Sequence, residues 1–286
     1  MSGAVSAGGG TGADTGPEGW RPVSVRLEHL TWPEVGEAIE HGWTTVVAAF
    51  GATEQHGPHL PLLVDAEHGT RLSEALARRM GKTLAAPAVR VGCSDHHLAF
   101  PGSLSLRRPT LEAIVRDYCT SLAHHGFRKV CLVPTHGGNF GVLAGVEEAL
   151  DRELGPGCRV RAFHDLEAFI RMWTSAVEEE SGLGERVGGH ADVAETALMM
   201  AMRPELVRAD RAEEGFTGTV DEELLERGFR EGFDTISPNG ILGDARGASA
   251  ELGERLLERE AAFLADYFAD GPPDAPADGP AAGTAD

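Results

Sequence analysis

The chain has 286 residues and is strongly acidic, with 45 Asp and Glu residues against 25 Lys and Arg residues and a net charge of −20. Such a surface repels phosphate backbones and anionic lipids, which argues against nucleic acid and membranes as partners. No apolar run approaches the roughly 18 residues of a membrane span, and the N-terminus lacks the basic start and apolar stretch of a signal peptide.

The cysteines indicate a reducing compartment. Cys93, Cys119, Cys131 and Cys158 form no C-x-x-C pair, and all lie in apolar surroundings. We therefore expect them to be reduced core residues of a cytoplasmic protein.

Strand and helix patterns alternate along the chain. Strands are predicted over 44–50, 83–91, 128–134 and 158–163. Helices are predicted over 69–81, 109–126 and 139–154 and near 165–180, 192–202 and 248–268. The helix at 109–126 is the clearest, because its apolar residues repeat at helical spacing between Pro109 and Gly126. Alternation with short connections predicts an α/β fold with a mostly parallel sheet covered on both faces.

Both ends of the chain have the composition of disordered tails. Residues 1–19 are rich in Gly, Ala, Ser and Thr, and residues 271–286 are rich in Pro, Gly, Ala and Asp. Neither segment can bury enough apolar surface to offset the entropy of ordering. No linker interrupts the middle, so a single domain is expected over 20–270.

Two polar segments follow strands that should be neighbours. "TEQHG" follows the strand at 44–50, and "THGGN" follows the strand at 128–134. Because sites in parallel sheets form beyond the C-terminal ends of the strands, the two segments should meet in space.

These segments carry residues that bind metals. Glu54 and His56 are two residues apart, so in an extended segment both side chains point the same way. Asp65 follows a proline-containing loop, and His136 ends the third strand. Glutamate, aspartate and histidine together suit zinc, manganese or iron. A carboxylate such as Asp65 could bridge two ions, which would orient a shared water and lower its pKa.

A simpler interpretation of the same residues needs no metal. Glu54 and His56 would be exposed turn residues, and Asp65 would cap a helix that begins near Glu67. Spacing alone leaves both interpretations open.

The "THGGN" segment is ambiguous in the same way. Gly137 and Gly138 would let a substrate or an ion approach the backbone, and Asn139 suits a helix N-cap. The segment also fits a strand, a turn and a capped helix with no other role.

The stretch 188–200 permits two interpretations. Asp192 and Glu195 fit an N-cap with its capping-box partner, which local spacing favours. Alternatively, Glu195 is a fifth metal ligand and His190 transfers a proton, since an unperturbed histidine titrates near neutrality.

The other histidines and one glycine-rich loop carry weaker signals. One of His96 and His97 could face a substrate, although a polar loop is the default expectation. His59 and His68 are expected to be solvated. The stretch 239–258 is a glycine-rich loop that runs into a helix, and no strand precedes it as in a dinucleotide-binding motif.

Together these motifs resemble the creatininase (creatinine amidohydrolase) family. "GATEQHGPHLPLLVD", "HLAFPGSLSL", "THGGN", "GGHADVAET" and "GILGDARGASAELG" occur in the family's order over about residues 25–265. The resemblance implies a three-layer α/β/α fold, a binuclear metal site and a homohexamer. It also implies hydrolysis of C–N bonds in small cyclic or formyl amides, although some members are peptidases that act in the maturation of a peptide-derived cofactor.

The resemblance also implies roles for individual residues. Glu54, His56, Asp65 and His136 would bind two divalent metal ions, zinc before manganese or iron, with Asp65 as the bridge. His190 would transfer a proton beside the substrate. From the residues themselves, His97, Gly137, Gly138 and Asn139 are the expected substrate-binding residues.

One departure from creatininase itself alters the ligand set. Creatininase has H-Y-E-N where this chain has H-G-G-N, so its glutamate ligand is Gly138 here. H-G-G-N is common in other branches, and we assign the missing carboxylate to Glu195, which would therefore be both a ligand and a catalytic residue. Creatinine is accordingly not expected to be the substrate.

The predicted function is a metal-dependent amidohydrolase in which a hydroxide held between two ions attacks a small amide. One alternative is a metallopeptidase that trims a peptide precursor in cofactor or natural-product maturation. The other is a non-catalytic pathway partner that binds a metal or a metabolite.

Overall fold

The computed structural model describes residues 19–269, apart from the side chain of Glu222. The predicted tails over 1–19 and 271–286 therefore lie outside the described residues, except for residue 19.

A four-stranded parallel sheet forms the centre of the fold. Its strands, in chain order, are β1 (Thr45–Phe50), β2 (Thr83–Ala85), β3 (Lys129–Pro134) and β4 (Arg159–Ala162). Their order across the sheet is β2-β1-β3-β4, and every pair is parallel. The last paired residues of β1 and β3 are Phe50 and Pro134, so the segments that follow these strands leave the sheet side by side.

Helices and one further strand pair surround this sheet. The α-helices are α1 (Trp32–Glu40), α2 (Val64–Met80), α3 (Arg108–His124), α4 (Phe140–Leu154), α5 (Leu166–Ser181), α6 (Val193–Met202), α7 (Glu222–Glu231) and α8 (Ala250–Ala269). The short strands β5 (Val187–His190) and β6 (Leu242–Gly243) pair antiparallel beside the sheet.

A hydrophobic core lies on each face of the parallel sheet. Successive residues of a strand point to opposite faces, so Val46, Ala48 and Phe50 join one core and Val47 joins the other. Helices α1, α3 and α4 pack on the first face, and helices α2, α5, α6 and α8 pack on the second. Each fully buried large apolar side chain stabilises the fold by about 1.5–3 kcal/mol. The predicted three-layer α/β/α fold with a mostly parallel sheet is confirmed.

The clearest predicted elements lie where the sequence places them. The strands at 44–50 and 128–134 and the helix at 109–126 agree with β1, β3 and α3 to within two residues at each end. Helix α3 has proline in its first turn, as its sequence predicts.

Two predicted boundaries are wrong. Helix α2 begins at Val64 rather than at Gly69, because Gly69 is a packing residue inside the helix: a Cβ there would lie 3.0 Å from Ala49 of β1. The strand predicted over 83–91 ends at Ala85. Pro87 has no N–H to donate to a neighbouring strand, and pairing resumes only at Val89, as an isolated bridge.

The described residues agree with two expectations from composition. Among them, no helix combines the length and the apolar character needed to cross a bilayer. The four cysteines are all free. Burial raises the pKa of the Cys119 and Cys131 thiols to about 12, so both remain protonated at neutral pH.

Candidate metal centre

The segments that follow β1 and β3 meet beyond the C-terminal edge of the sheet, as the sequence predicts. Asn139 joins them: its side-chain nitrogen donates to the carbonyls of Phe50 and Gly51, both at 3.0 Å. The Cys93 backbone N–H donates to its side-chain oxygen, also at 3.0 Å. The predicted N-cap role of this side chain is wrong, since the amide instead fixes three chain segments around the site.

Asp65 lies in the first turn of α2 and directs its two carboxylate oxygens to different partners. Oδ1 lies 3.0 Å from Nε2 of His56, and Oδ2 lies 3.5 Å from Nδ1 of His136. The Thr135 hydroxyl donates to the Asp65 backbone carbonyl at 2.8 Å, which ties this turn of α2 to the end of β3. One carboxylate therefore lies between two imidazoles.

A second carboxylate lies on each side of Asp65. Oε1 of Glu54 lies 3.0 Å from Nδ1 of His136, and Oε2 of Glu195 lies 3.6 Å from Nε2 of His56. All five side chains are almost completely buried. Two groups of possible ligands result, and Asp65 has one oxygen in each.

Several of these buried oxygens have no hydrogen bond. Both carboxylate oxygens of Glu54 and Oδ2 of Asp65 make none to the described residues. Oε1 of Glu54 and Nδ1 of His136 are 3.0 Å apart, yet their geometry is not that of a hydrogen bond. This is expected when two side chains point toward a common ligand position rather than toward each other. Buried charged oxygens without partners are costly, and a metal ion would satisfy them.

The carboxylates control the protonation of the two imidazoles. Burial alone would lower the pKa of His56, but Asp65 and Glu195 raise it well above its usual value. Burial likewise opposes protonation of His136, and Glu54 and Asp65 raise its pKa. Negative charge therefore exceeds what neutral imidazoles could balance, and the site attracts cations.

Glu195 reaches this site although it lies in the first turn of α6. Asp192 accepts from the backbone N–H groups of Ala194 and Glu195, so the predicted N-cap is confirmed. Glu195 does not complete a capping box, because its carboxylate accepts from the Ala191 N–H and faces His56. Ala191 has a φ of 54°, a left-handed turn that few non-glycine residues adopt, and it directs the chain from β5 into α6.

Gly138 leaves no space for a side chain. A Cβ at Gly138 would lie 2.1 Å from the Cys93 carbonyl oxygen and 2.7 Å from Nε2 of His136. Position 138 therefore supplies no carboxylate, and Glu195 lies beside His56 instead.

Two further histidines stand beside the five candidate ligands. Nδ1 of His190 lies 4.0 Å from Oε2 of Glu195, and Nε2 of His97 lies 3.3 Å from Oε1 of Glu54. Burial lowers the pKa of both rings, and the charge of the neighbouring His56 lowers that of His190 further. Both rings are therefore neutral near pH 7.

The cavity at this site is small, about 60 Å³. One part of its wall is made by four of the five candidate ligands (all but His56) with His97, His190 and Gly137, and another by aromatic and aliphatic side chains. Leu225 and Phe229 of α7 and the nearby Phe233 cover it from outside, and the Phe229 ring lies 4.7 Å from the ring of His96. Gly138 and Asn139 do not line this cavity, whereas His97 and Gly137 do.

The two histidines expected to be solvated are both buried, so this expectation is wrong. His59 hydrogen-bonds the Thr196 hydroxyl at 2.8 Å. His68 pairs with Oε2 of Glu260 at 2.7 Å, and Trp173 donates to the other oxygen of that carboxylate. These partners are distant in the sequence, so no local pattern could reveal them.

Sequence reasoning also missed Gln55, although it stands inside the most specific motif. Its side-chain nitrogen lies 3.0 Å from Nδ1 of His97 and 2.9 Å from Nε2 of His190. Its position between the candidate ligands Glu54 and His56 could have indicated that Gln55 belongs to the site.

The sequence and the fold match one group of known proteins. A sequence model described as "Creatinine amidohydrolase", of the creatininase family, matches residues 28–268. The chain is 32% identical to a mycofactocin precursor peptide peptidase of Mycobacterium ulcerans (strain Agy99), with coverage of 75% of this chain and 80% of that protein. It is 30% identical to a creatinine amidohydrolase of Pseudomonas putida, with coverage of 85% and 95%.

Solved structures of creatininases have a similar fold. A mutant creatininase of zinc–zinc type matches with a TM-score of 0.70 and 27% identity, covering 86% of this chain and 97% of that one. A manganese form of creatininase matches with a TM-score of 0.69 and 28% identity, with the same coverage.

The fold and the matched relatives define a hydrolase that acts on C–N bonds. The chain belongs to the creatininase family.

Proposed function

We propose that this protein is a metal-dependent amidohydrolase that cleaves a C–N bond of a small cyclic or formyl amide. The observation that carries the proposal is the division of the Asp65 carboxylate between two groups of ligands, one around His56 and one around His136. Two divalent ions bound there would lower the pKa of a water and polarise the substrate carbonyl.

The residues present fit such a pair of ions. Glu54 and His136 would hold one ion, with His96 close enough to join them, and His56 and Glu195 would hold the other with Asp65. Oδ2 of Asp65, 3.5 Å from Nδ1 of His136, would let this carboxylate be shared. The unpartnered oxygens of Glu54 and Asp65 support this assignment, because no other contact satisfies them among the described residues. Mixed nitrogen and oxygen ligands suit zinc first and also manganese or iron.

His190 is proposed as the proton-transfer residue. Its pKa is lowered, so the neutral ring can take up a proton and later release it to the leaving nitrogen. Glu195, 4.0 Å from Nδ1 of His190, would steady the charged form of the ring and contribute to catalysis as well as to metal binding. His97 and Gly137 line the cavity and are proposed to contact the substrate.

Gly138 and Asn139 are proposed to have a structural role rather than to bind the substrate. The Asn139 amide is committed to backbone groups, and a Cβ at Gly138 would meet the Cys93 carbonyl. Both would shape the site, rather than contact the substrate directly.

The decisive experiment is hydrolysis by the zinc-loaded chain on a panel of cyclic amides, formamides and short peptides, with chelator-treated protein as the control. Turnover of cyclic or formyl amides that stops with the chelator and returns with zinc is the expected result. Metal-independent turnover would contradict the proposal. Tightly held metal with no turnover on the whole panel would favour a non-catalytic binding protein.

A peptidase that trims a peptide precursor is the second candidate. It is favoured by the 32% identity to a mycofactocin precursor peptide peptidase. Both candidates use the same attack on a C–N bond, so they differ only in the substrate. Faster turnover of peptides than of cyclic amides on the panel would favour this candidate.

Two expectations about the whole protein remain predictions. A homohexamer predicts about six times the chain mass of 30.3 kDa in light scattering. A cytoplasmic location predicts recovery with the soluble fraction of its source cell, and the single domain over 20–270 predicts one cooperative unfolding transition.

A further inference from the structure

Part of the cavity beside the candidate metal centre is lined by aliphatic side chains from two helices. Leu166 and Ile170 are four residues apart on α5, so they share one face of that helix, and both line the cavity. Leu225 of α7 lines the same cavity, one turn before the covering Phe229. Leu166, Ile170 and Leu225, which we call the aliphatic wall, are each only partly buried.

Two members of the aliphatic wall have no partner in a hydrophobic core. Leu166 packs against the core that contains α5, whereas Ile170 and Leu225 belong to none of the apolar clusters formed by residues 19–269. Apolar side chains that stay in contact with water cost free energy, and clusters of them commonly mark a binding site. An apolar group of a bound molecule would complete the burial of this wall.

The cavity offers no counter-ion to a charged group of a substrate. Among the described residues, no lysine or arginine lines it. Its carboxylates, Glu54, Asp65 and Glu195, are all candidate metal ligands, so bound ions would balance their charge. A charged group placed against the aliphatic wall would lose its hydration and gain no opposite charge in return. The chemistry of the wall therefore favours a neutral, apolar group.

We propose that the aliphatic wall is a substrate subsite that holds an uncharged alkyl or aromatic group beside the scissile C–N bond. The wall and the candidate ligands line one cavity, so a substrate whose carbonyl reaches the metal centre also reaches the wall. The inference rests on the proposed function and narrows its substrate to amides with an apolar substituent. Each methylene buried against the wall should strengthen binding about fourfold.

The first test measures binding without any reaction. Ethanethiol, propanethiol and butanethiol bind zinc through sulfur and contain no C–N bond, and the series is short because Phe229 covers the cavity. Calorimetry on the full zinc-loaded chain should show Kd falling about fourfold per methylene. β-Mercaptopropionate, which matches butanethiol in length but ends in a carboxylate, should bind at least about tenfold more weakly than butanethiol.

Three results of this titration would overturn the proposal. They are a Kd that is the same across the alkyl series, equal binding of butanethiol and β-mercaptopropionate, and no binding of any thiol.

Leu225→Asn tests the wall itself, because it replaces an aliphatic side chain by a polar one outside both main cores. The variant should keep its zinc and its affinity for ethanethiol and lose the dependence on chain length. Leu224→Asn is the matched control, since this neighbouring leucine is also partly buried but does not line the cavity. An unchanged dependence in Leu225→Asn, or an equal loss in Leu224→Asn, would overturn the proposal. If Leu225→Asn fails to fold, Ile170→Asn on the other helix replaces it.

A rate assay keeps failure of the subsite apart from failure of the proposed function. N-butylformamide should have a higher kcat/KM than N-ethylformamide, again by about fourfold per methylene. No turnover of any amide, together with thiol binding that depends on chain length, would contradict the proposed function and support the subsite. Turnover and thiol binding that are both independent of chain length would overturn the subsite and leave the proposed function in place.

Discussion

Asp65 presents Oδ1 to Nε2 of His56 at 3.0 Å, while its Oδ2 is buried and makes no hydrogen bond to any residue that the structure describes. Asp65→Ala removes the carboxylate shared by both groups of ligands, so we expect both zinc ions and all turnover to be lost. Atomic emission on the dialysed protein measures zinc per chain. Glu67→Gln, an acid on the same helix that pairs with Arg203 instead, is the matched control and should keep both ions. Turnover by metal-free Asp65→Ala protein would contradict the mechanism.

Glu195→Ala should have a narrower effect, because Glu195 contacts the group around His56 and not the one around His136. We expect zinc to fall from two ions per chain to one and kcat to fall about 10²- to 10³-fold, the range for losing one electrostatic stabiliser. The same emission measurement, paired with a rate assay, checks both. Two retained ions would remove Glu195 from the ligand set.

Gly138→Glu tests whether this position could hold a carboxylate. Because a Cβ at this position would meet the Cys93 carbonyl at 2.1 Å, we expect the variant to lose about 1–3 kcal/mol of unfolding free energy, the usual effect of overpacking. Gly137→Ala is the control, since its Cβ would meet only the Phe229 ring, at an ordinary 3.5 Å. Thermal and urea unfolding compare the two. A Gly138→Glu protein as stable as Gly137→Ala would refute the steric argument.

The buried pair of His68 and Glu260 predicts a pH-dependent stability. Burial alone would lower the pKa of His68, but Glu260 raises it above the usual value. A raised folded-state pKa stabilises the protein fully below the unfolded pKa, near 6.5, and this contribution is lost as the pH rises through the folded pKa. Glu260→Gln should therefore cost about 3–5 kcal/mol at pH 6 and progressively less at higher pH.

Urea unfolding from pH 6 to pH 9 measures that difference. Glu148→Gln breaks an exposed pair with Arg152 and should change stability by less than about 1 kcal/mol at every pH. A Glu260→Gln deficit that grows with pH would have the wrong sign.

Phe229 is expected to limit substrate size. Its ring covers the cavity over His96, is 38% exposed and belongs to α7, outside the two main cores. The cavity of about 60 Å³ holds only a few water molecules, so a substrate must displace this cover. Phe229→Ala should raise kcat/KM for bulky amides relative to formamide. An unchanged preference across the panel would place the entrance elsewhere.

Periodicity predicted the parallel sheet and the meeting of the segments that follow β1 and β3, whereas the full set of five candidate ligands, Glu195 included, came from the resemblance to a family. The errors arose where a residue type that usually marks an element boundary has a different structural role here. Gly69 resembled a helix start but is a packing residue inside α2. Helix α1 was missed although Thr31, Pro33 and Glu34 carry a complete capping signal. The strands β5 and β6 are too short and too rich in glycine to show any period.

The site was less predictable than the fold because its polar partners are far apart in the sequence. His59 and His68 are buried only because Thr196 and Glu260 meet them from α6 and α8. The N-cap at Asp192 was predicted correctly. It did not show where the Glu195 side chain points, because that depends on the left-handed turn at Ala191. Spacing describes neighbours on one element and carries no information about contacts between elements.

The unpartnered oxygens of Glu54 and Asp65 have a consequence outside the reaction. Cations that bind the native chain and not the unfolded chain shift the folding equilibrium toward the native state by mass action. Under the proposed function, the supply of transition metal in the cell would set the abundance of this protein as well as its rate, and metal starvation would expose it to proteolysis.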